Sequence, residues 1–446
     1  MEFIKNNWKN ILKYIIIYIL FVLAYETFFH FLTLGDSLNS YMFSHALVRG
    51  EIIYKDFNTI TTPLYAIIMS LGLHIFDSYF VFILEQSFLC TILIYFLDKI
   101  LKDKVYLFLS IAFLFVFQIF LMTYNFLCLL LIVIICYLEK YNFSKDYLIG
   151  FIIGLCILSK FTIGIFLIIP MIIICFKKKN ELLKRFIGIL IPCFIFLIYL
   201  LIRGNLYNFI NLCFLGLFDF NNKNSNLYNS IFFLSIILFI ISLIFIIKKN
   251  KLKYNYYIPV TFMFVYPLFD YHHLSYFAFF IILMLFDYYK VIKSKFIYYI
   301  SIILLSGVFI FWIVLSLDNN SVECTGIKHY EKYYMPYNMC FNWKNYNSFL
   351  SKYCINKCLL LSPYSVVYDV TKDNKITYYN ILFYGNLGYN GNSMIFNDIS
   401  KNNYDCFIID DDIYNNNQYD LEVVKYIKDK YKKIDRYGLF TIYYKE

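Results

Sequence analysis

Long apolar runs separated by short basic segments fill residues 1–317, and from residue 318 short apolar stretches alternate with many polar positions. The first run, residues 11–34, has Lys5 and Lys9 before it and Lys13 at its beginning. It is too long for a cleaved signal, and no small-residue cleavage site follows it. It predicts a membrane anchor with a cytoplasmic N-terminus, because basic flanks stay inside. Residues 63–76, led by Pro63, are short for a bilayer core of about 30 Å and predict an interfacial or re-entrant helix. Further runs cover 79–97, 105–122, 126–138, 147–158, 161–176, 186–202, 230–247, 256–268, 275–289 and 296–315. They alternate between basic loops, such as Lys177-Lys178-Lys179, and turns with few bases. The pattern predicts about 11 transmembrane helices with every basic loop inside and the C-terminal region outside. The short pairs meeting at Asn125 and at Lys160 read as hairpins; a broken helix would still turn Lys160 toward the outer side.

In residues 318–446, the stretches "KCLLLSPYSVVYDV" and "DCFIIDDDI" predict buried strands. Leu421, Val424, Ile427 and Tyr431 have helical spacing, and "YGLFTIYYKE" predicts a closing strand. A chain of that length suffices for a small α/β domain. The predicted fold class is therefore a polytopic α-helical membrane protein, residues 1–317, with a small extracytoplasmic α/β domain, residues 318–446. No internal repeat, Gly-rich phosphate loop or nucleophile elbow occurs in the sequence.

A hydrophobic content of 61% excludes an ordinary soluble protein. The net charge of +10 sits largely in the inside loops, so it speaks for topology rather than nucleic-acid binding. Seven of the 12 cysteines, from Cys90 to Cys213, lie in or beside apolar runs and read as small core residues. Cys324, Cys340, Cys354 and Cys358 follow the last run and could form disulfides outside the cell. With His329 the only histidine nearby, they make a poor zinc set.

Charged and polar residues gather on the predicted outer side. Residues 35–62 contribute Asp36, His45, Arg49, Glu51, Lys55 and Asp56; later turns add Tyr124, Asn125, Lys160, Arg203, Asp270, His272 and His273. Ionisable groups at span ends tend to be paired or functional. Each also has a plainer explanation. Asp36 could end a helix as a solvated turn residue, and Lys55 with Asp56 could be an ordinary loop ion pair. Lys160 could snorkel. Arg203 and the two histidines could be interfacial anchors.

The stretch "GDSLNSYMFSHALVRGEIIYKDFNTITTPLYAIIMSLGLHIF" carries an acid just past the first span, then Ala46 to Gly50, Tyr54, Asp56-Phe57 and a Pro63-led apolar segment. It resembles the first loop of GT-C membrane glycosyltransferases of the protein-mannosyltransferase-like (family 39-like) bacterial branch. "TYNFLCLLLIV", "GLCILSKFTIGIFLIIP" and "YPLFDYHHLSYFAFF" resemble later segments of the same family, in the same order. Many relatives carry Asp-Glu at the first site, whereas Ser37 follows Asp36 here, so a second carboxylate either comes from elsewhere, with Asp56 the candidate, or is not needed. The resemblance implies a polyprenyl-phosphate-linked sugar as donor, drawn from the outer leaflet, and an extracytoplasmic acceptor: envelope glycan, lipid or protein. Asp36 is then the expected base. Lys160 and Arg203, supported by Arg49 or Lys55, are expected to hold the phosphate, and Tyr124, Asn125, Asp270, His272 and His273 to line the substrate site. Two carboxylates and two histidines on one face could hold a divalent ion, but the resemblance requires none, and no cofactor is expected. The other readings are a polysaccharide polymerase or ligase, and a transporter or flippase for lipid-linked sugars. A transporter usually shows paired repeats and mid-bilayer charges.

Overall fold

The computed structural model describes residues 2–27, 36–101, 103–141, 145–224, 229–249, 253–288, 295–316, 321–323, 334–353, 358–362, 386–401, 404–410 and 422–444. Cys324, His329 and Cys354 lie outside the described residues.

The apolar runs fold into helices: α1 (Glu2–Thr27), α2 (Asp36–Val48), α3 (Leu64–Leu73), α4 (Tyr79–Leu101), α5 (Lys104–Val116), α6 (Tyr124–Lys140), α7 (Asp146–Ser159), α8 (Phe161–Phe166), α9 (Ile168–Cys175), α10 (Lys179–Arg203), α11 (Leu206–Ile210), α12 (Gly216–Asn224), α13 (Ser230–Lys249), α14 (Tyr271–Tyr288) and α15 (Lys295–Ser316). Among the described residues four segments are long and apolar enough to cross a bilayer: Trp8–Glu26, Tyr79–Leu101, Lys179–Arg203 and Ser230–Ile247. The expected count of about 11 is not reached by this measure. The reason is length: at 1.5 Å per residue, helices such as α5 and α7 reach only about 20 Å. The expected span at 256–268 differs in kind. It is two short 3-10 pieces, Lys253–Tyr257 and Pro259–Phe264. Pro259 and Pro267 lack the N–H groups that a continuous α-helix needs.

The outward faces suit hydrocarbon rather than water. Leu190, Phe194, Ile195 and Ile202 on α10, Ile237 and Ile241 on α13, and Ile303 and Phe311 on α15 are all exposed. α3 buries Tyr65, Met69 and Leu73 but exposes Ile67 and Leu71, as a helix lying against lipid would. At the centre, α6 is buried on nearly all sides. α7 and α10 pack in close contact because Gly150 and Gly154 leave no Cβ between them. A Cβ on Gly150 would fall 2.0 Å from the Arg185 carbonyl oxygen, and one on Gly154 would fall 2.5 Å from Pro192 Cγ.

The C-terminal region contains a two-stranded pair, β1 (Ser321–Glu323) with β2 (Tyr334–Pro336), then α16 (Tyr337–Tyr353). It also contains a four-stranded sheet of order β3-β4-β6-β5. These strands are β3 (Cys358–Leu361), β4 (Cys406–Asp410), β5 (Lys432–Tyr437) and β6 (Phe440–Tyr444). β3 and β4 are parallel, and the other pairs are antiparallel. Alternation along the strands gives the sheet two apolar faces. Leu359, Leu361, Phe407 and Ile409 meet the helices Gly391–Lys401 and Glu422–Lys430. Leu360, Ile408, Phe440 and Ile442 face the other way, in one apolar cluster with Trp343 and Tyr346 of α16. Cys358 and Cys406 face each other in register and form a disulfide, and Cys340 is also disulfide-bonded.

Candidate functional site

Residues 36–62 fold as a helix followed by a stitched turn. α2 begins at Asp36, whose carboxylate suits the helix N-terminus. It ends before Gly50, whose φ of +83° favours glycine. Ten of its residues are buried, so it is packed into the protein rather than exposed as a loop. Asp36, Asn39, Ser40 and Phe43 recur at helical spacing and therefore share one face. That face lines a cavity of about 210 Å³.

The opposite wall comes from residues 58–61, from Tyr124 at the start of α6, from Phe220 on α12, and from Leu268 and His273 near the start of α14. A second, smaller cavity shares Ile60, Thr61, Tyr124, Phe220, Leu268 and His273 with the first, so the two adjoin. Lys160, Thr62 and Thr162 line this second chamber.

Lys160 sits where α7 ends and α8 begins, and the Ser159 hydroxyl donates to the Tyr124 carbonyl at 2.9 Å, which ties this turn to α6. Its Nζ donates to Asn125 Oδ1 at 2.9 Å and to the Phe264 carbonyl at 3.3 Å. It lies 5.9 Å from the Tyr124 ring centre and 5.4 Å from that of Phe264. No carboxylate salt-bridges it among the described residues. Burial lowers the Lys160 ammonium to about 8, although Asp270 and Asp36 act to keep it charged.

Asp36 is accessible where it lines the cavity but is otherwise surrounded by protein. That desolvation raises its carboxyl above the ordinary value, partly offset by His273 and Lys160. Asp270 pairs with His273, Nδ1 lying 2.8 Å from both carboxylate oxygens, while the His273 backbone N–H donates to Oδ1 at 2.8 Å. Burial acts to raise Asp270, but His273 outweighs it and holds the carboxyl at about 2. Asp270 therefore fixes the His273 ring on the cavity wall.

Asp36, Lys160, Tyr124 and His273 thus meet around the two chambers, with Asn125 and Asp270 behind as partners. His272 packs its ring against Tyr276 and His273 and does not line either chamber. The structure does not bring Asp56, Arg49, Lys55 or Arg203 to either chamber. Asp56 Oδ2 instead accepts the Ile52 N–H at 2.7 Å and closes a turn. Arg49 pairs with Glu51, Lys55 is exposed, and Arg203 lies exposed at the end of α10 over the Tyr199 ring. The "Y-x-D-F" stretch holds structure. Tyr54 is fully buried with φ of +65°, its carbonyl accepts from Asn208, its hydroxyl donates to Thr61, and Phe57 stacks on Phe43.

Several lining residues were not anticipated: Asn39 and Ser40, Asn58 to Thr62, Phe220 and Asn386. The first two were open to discovery, because they stand three and four positions after Asp36. The described residues hold no cluster of three or more metal-ligating side chains. No family model matches the chain, and neither do any characterised protein or solved structure.

Proposed function

We propose that the chain is an integral membrane glycosyltransferase that moves a sugar from a polyprenyl-phosphate donor to an extracytoplasmic acceptor. The observation that carries this reading is the pairing of chambers: the carboxylate of Asp36 opens on one, and Lys160, an ammonium with no carboxylate salt bridge among the described residues, lines the next. The two groups match the two demands of such a transfer. An acceptor hydroxyl is a poor nucleophile, and Asp36, with its raised proton affinity, takes its proton as attack begins. The acceptor oxygen bonds to the anomeric carbon while the bond from that carbon to the phosphate oxygen breaks. The electron pair leaves with the phosphate, where Lys160 balances the growing charge. Direct displacement inverts the anomeric carbon. Beyond Lys160, α8 continues to the exposed Ile165 and Phe166, a surface on which a polyprenyl tail can lie.

The remaining features fit an outer-face site. The basic ends of α4 and α6 lie together, with Lys140 donating to the Ile100 carbonyl at 2.7 Å, at the other end of α6 from Asn125, which supports a reading with about 11 membrane-embedded segments, a cytoplasmic N-terminus and an outer C-terminal domain. The Cys358–Cys406 disulfide suits an oxidising compartment. Asp36, Lys160 and Asp270 sit at or beside helix ends, which favours an enzyme over a transporter.

The test is transfer of labelled sugar from polyprenyl-phosphate donors by purified protein in detergent, using envelope extracts as acceptor. Asp36→Asn and Lys160→Ala should each abolish transfer while the protein remains folded. Near-normal transfer by folded Asp36→Asn would sink the mechanism. Movement of the lipid-linked sugar across vesicles, without transfer, would replace it with the transporter reading.

A further inference from the structure

We infer that the C-terminal domain completes the substrate site: Asn386 from that domain and Asn39 from α2 together bind ring hydroxyls of the donor's sugar. The inference rests on the glycosyltransferase reading above and names what reads the sugar.

Asn386 lines the Asp36 cavity although it lies in the C-terminal domain. The turn after it is clasped to the membrane domain by its backbone. Tyr389 N–H donates to Asn211 Oδ1 at 3.0 Å, and Asn390 N–H donates to Asp219 Oδ2 at 2.8 Å. The clasp is close. Gly388 has φ of +82°, and a Cβ on Gly216 would fall 2.8 Å from the Gly388 Cα. Larger residues at either glycine would push the turn away. Asn386 is therefore held at the cavity wall by the backbone of the turn that follows it rather than by its own side chain.

The side chains point to the ligand's chemistry. Oδ1 of Asn386 and Oδ1 of Asn39 are buried with no hydrogen-bond partner among the described residues, and Asn39 is only 9% exposed. Buried amide oxygens in native proteins nearly always accept a hydrogen bond, so two such orphans on one cavity call for a donor-bearing ligand. A phosphate or carboxylate has no donor to offer. A hydroxyl does, and it can also accept if either amide is turned over. Phe43 and Phe220 supply apolar wall beside these amides, as the C–H face of a sugar ring requires. The volume of about 210 Å³ is below the roughly 300–1,000 Å³ of ordinary small-molecule pockets and suits a single ring.

The experiment measures binding by the full-length protein in detergent of hexosyl and pentosyl polyprenyl phosphates beside bare polyprenyl phosphate. Wild type should bind one of the sugar-bearing lipids more tightly than the bare one. Asn386→Ala should weaken that sugar-bearing lipid about threefold to tenfold, the scale of one hydrogen bond, and leave the bare lipid unchanged. Gly216→Ala, which displaces the turn without altering Asn386, should do the same. Equal weakening of both lipids by Asn386→Ala would mark a merely structural residue and overturn the inference. An unchanged preference for the sugar, or no preference in wild type, would also overturn it while the glycosyltransferase reading stands. Wild type that binds none of these lipids would overturn both.

Discussion

Two groups of charges lie at opposite ends of α7, about 20 Å apart by helix rise. At one end Arg185, 2% exposed, pairs with Glu139 and donates from Nε to Asp146 at 2.9 Å, while the Tyr257 hydroxyl donates to Glu139 at 3.2 Å. None of the side-chain nitrogens or oxygens in this knot is buried without a partner among the described residues. At the other end, the walls around Asp36 and Lys160 leave Asn39 Oδ1, Thr62 Oγ1, Asn125 Nδ2, Thr162 Oγ1 and Asn386 Oδ1 buried and unpartnered. The same helices carry both arrangements: α6 starts with Tyr124 and Asn125 and ends near Glu139. The knot is saturated; the cavity is unsaturated and has a volume. A saturated charge cluster joins helices, whereas an unsaturated one keeps its hydrogen-bonding capacity for a ligand.

Opposite responses to mutation would confirm this contrast. Removing a partner from a saturated buried pair strands the other charge, so Arg185→Ala should cost about 3–5 kcal/mol of stability, read as a large drop in thermal midpoint in detergent. Asp36→Asn should do the reverse: transfer should fall by about 10²–10⁴-fold, the usual worth of general base catalysis, with no loss of midpoint. If Asp36→Asn unfolds the protein and Arg185→Ala does not, the two regions have been assigned the wrong way round.

A smaller effect follows from Lys160. Its ammonium titrates near pH 8, so it is charged below that value and neutral above it. A donor phosphodiester keeps its single negative charge throughout this range. Affinity for the donor should therefore fall as pH rises through 8, by up to about tenfold per unit above it. Lys160→Arg keeps its charge at any such pH and should flatten the profile. A wild-type profile that is flat from pH 7 to 10 would remove Lys160 from the phosphate site.

The sequence made some of this legible and hid the rest for physical reasons. The helix end at Arg203 was readable because lipid-facing helices must be apolar throughout and stop at charges, and the start at Ser230 from the polar segment before it, whereas α10 begins at Lys179, ahead of the expected residue 186. The strands at Cys358 and Cys406 were readable from short apolar runs between polar turns. Asp36 and Lys160 stood out as charges beside long apolar runs. α2 was harder to see, because a helix buried on most sides has no polar stripe to betray its period, and with it Asn39 and Ser40 passed unnoticed. Residues 256–268 were misread as a span because composition does not distinguish a 3-10 run from an α-helix. Asn386 could not have been found: it reaches the cavity because the turn after it, at Tyr389 and Asn390, is clasped to Asn211 and Asp219, far away in the chain.

The finest test compares single oxygen atoms. Tyr257→Phe removes a hydroxyl that donates to Glu139, and Thr62→Val removes one that is buried without a partner. Both changes delete one hydroxyl oxygen from a buried site and leave the rest of the side chain nearly the same size. In the knot the lost hydrogen bonds, one to the Glu139 carboxylate and one from Arg185, should cost about 1.5–3 kcal/mol, because their partners are charged. In the cavity no hydrogen bond is lost, and a methyl group takes the place of a stranded polar atom. Thr62→Val should therefore leave the thermal midpoint unchanged or raise it by a few degrees, while weakening donor binding on the Lys160 side. Equal destabilisation by the two variants would mean that Thr62 has a structural partner, and the cavity would then be no less saturated than the knot.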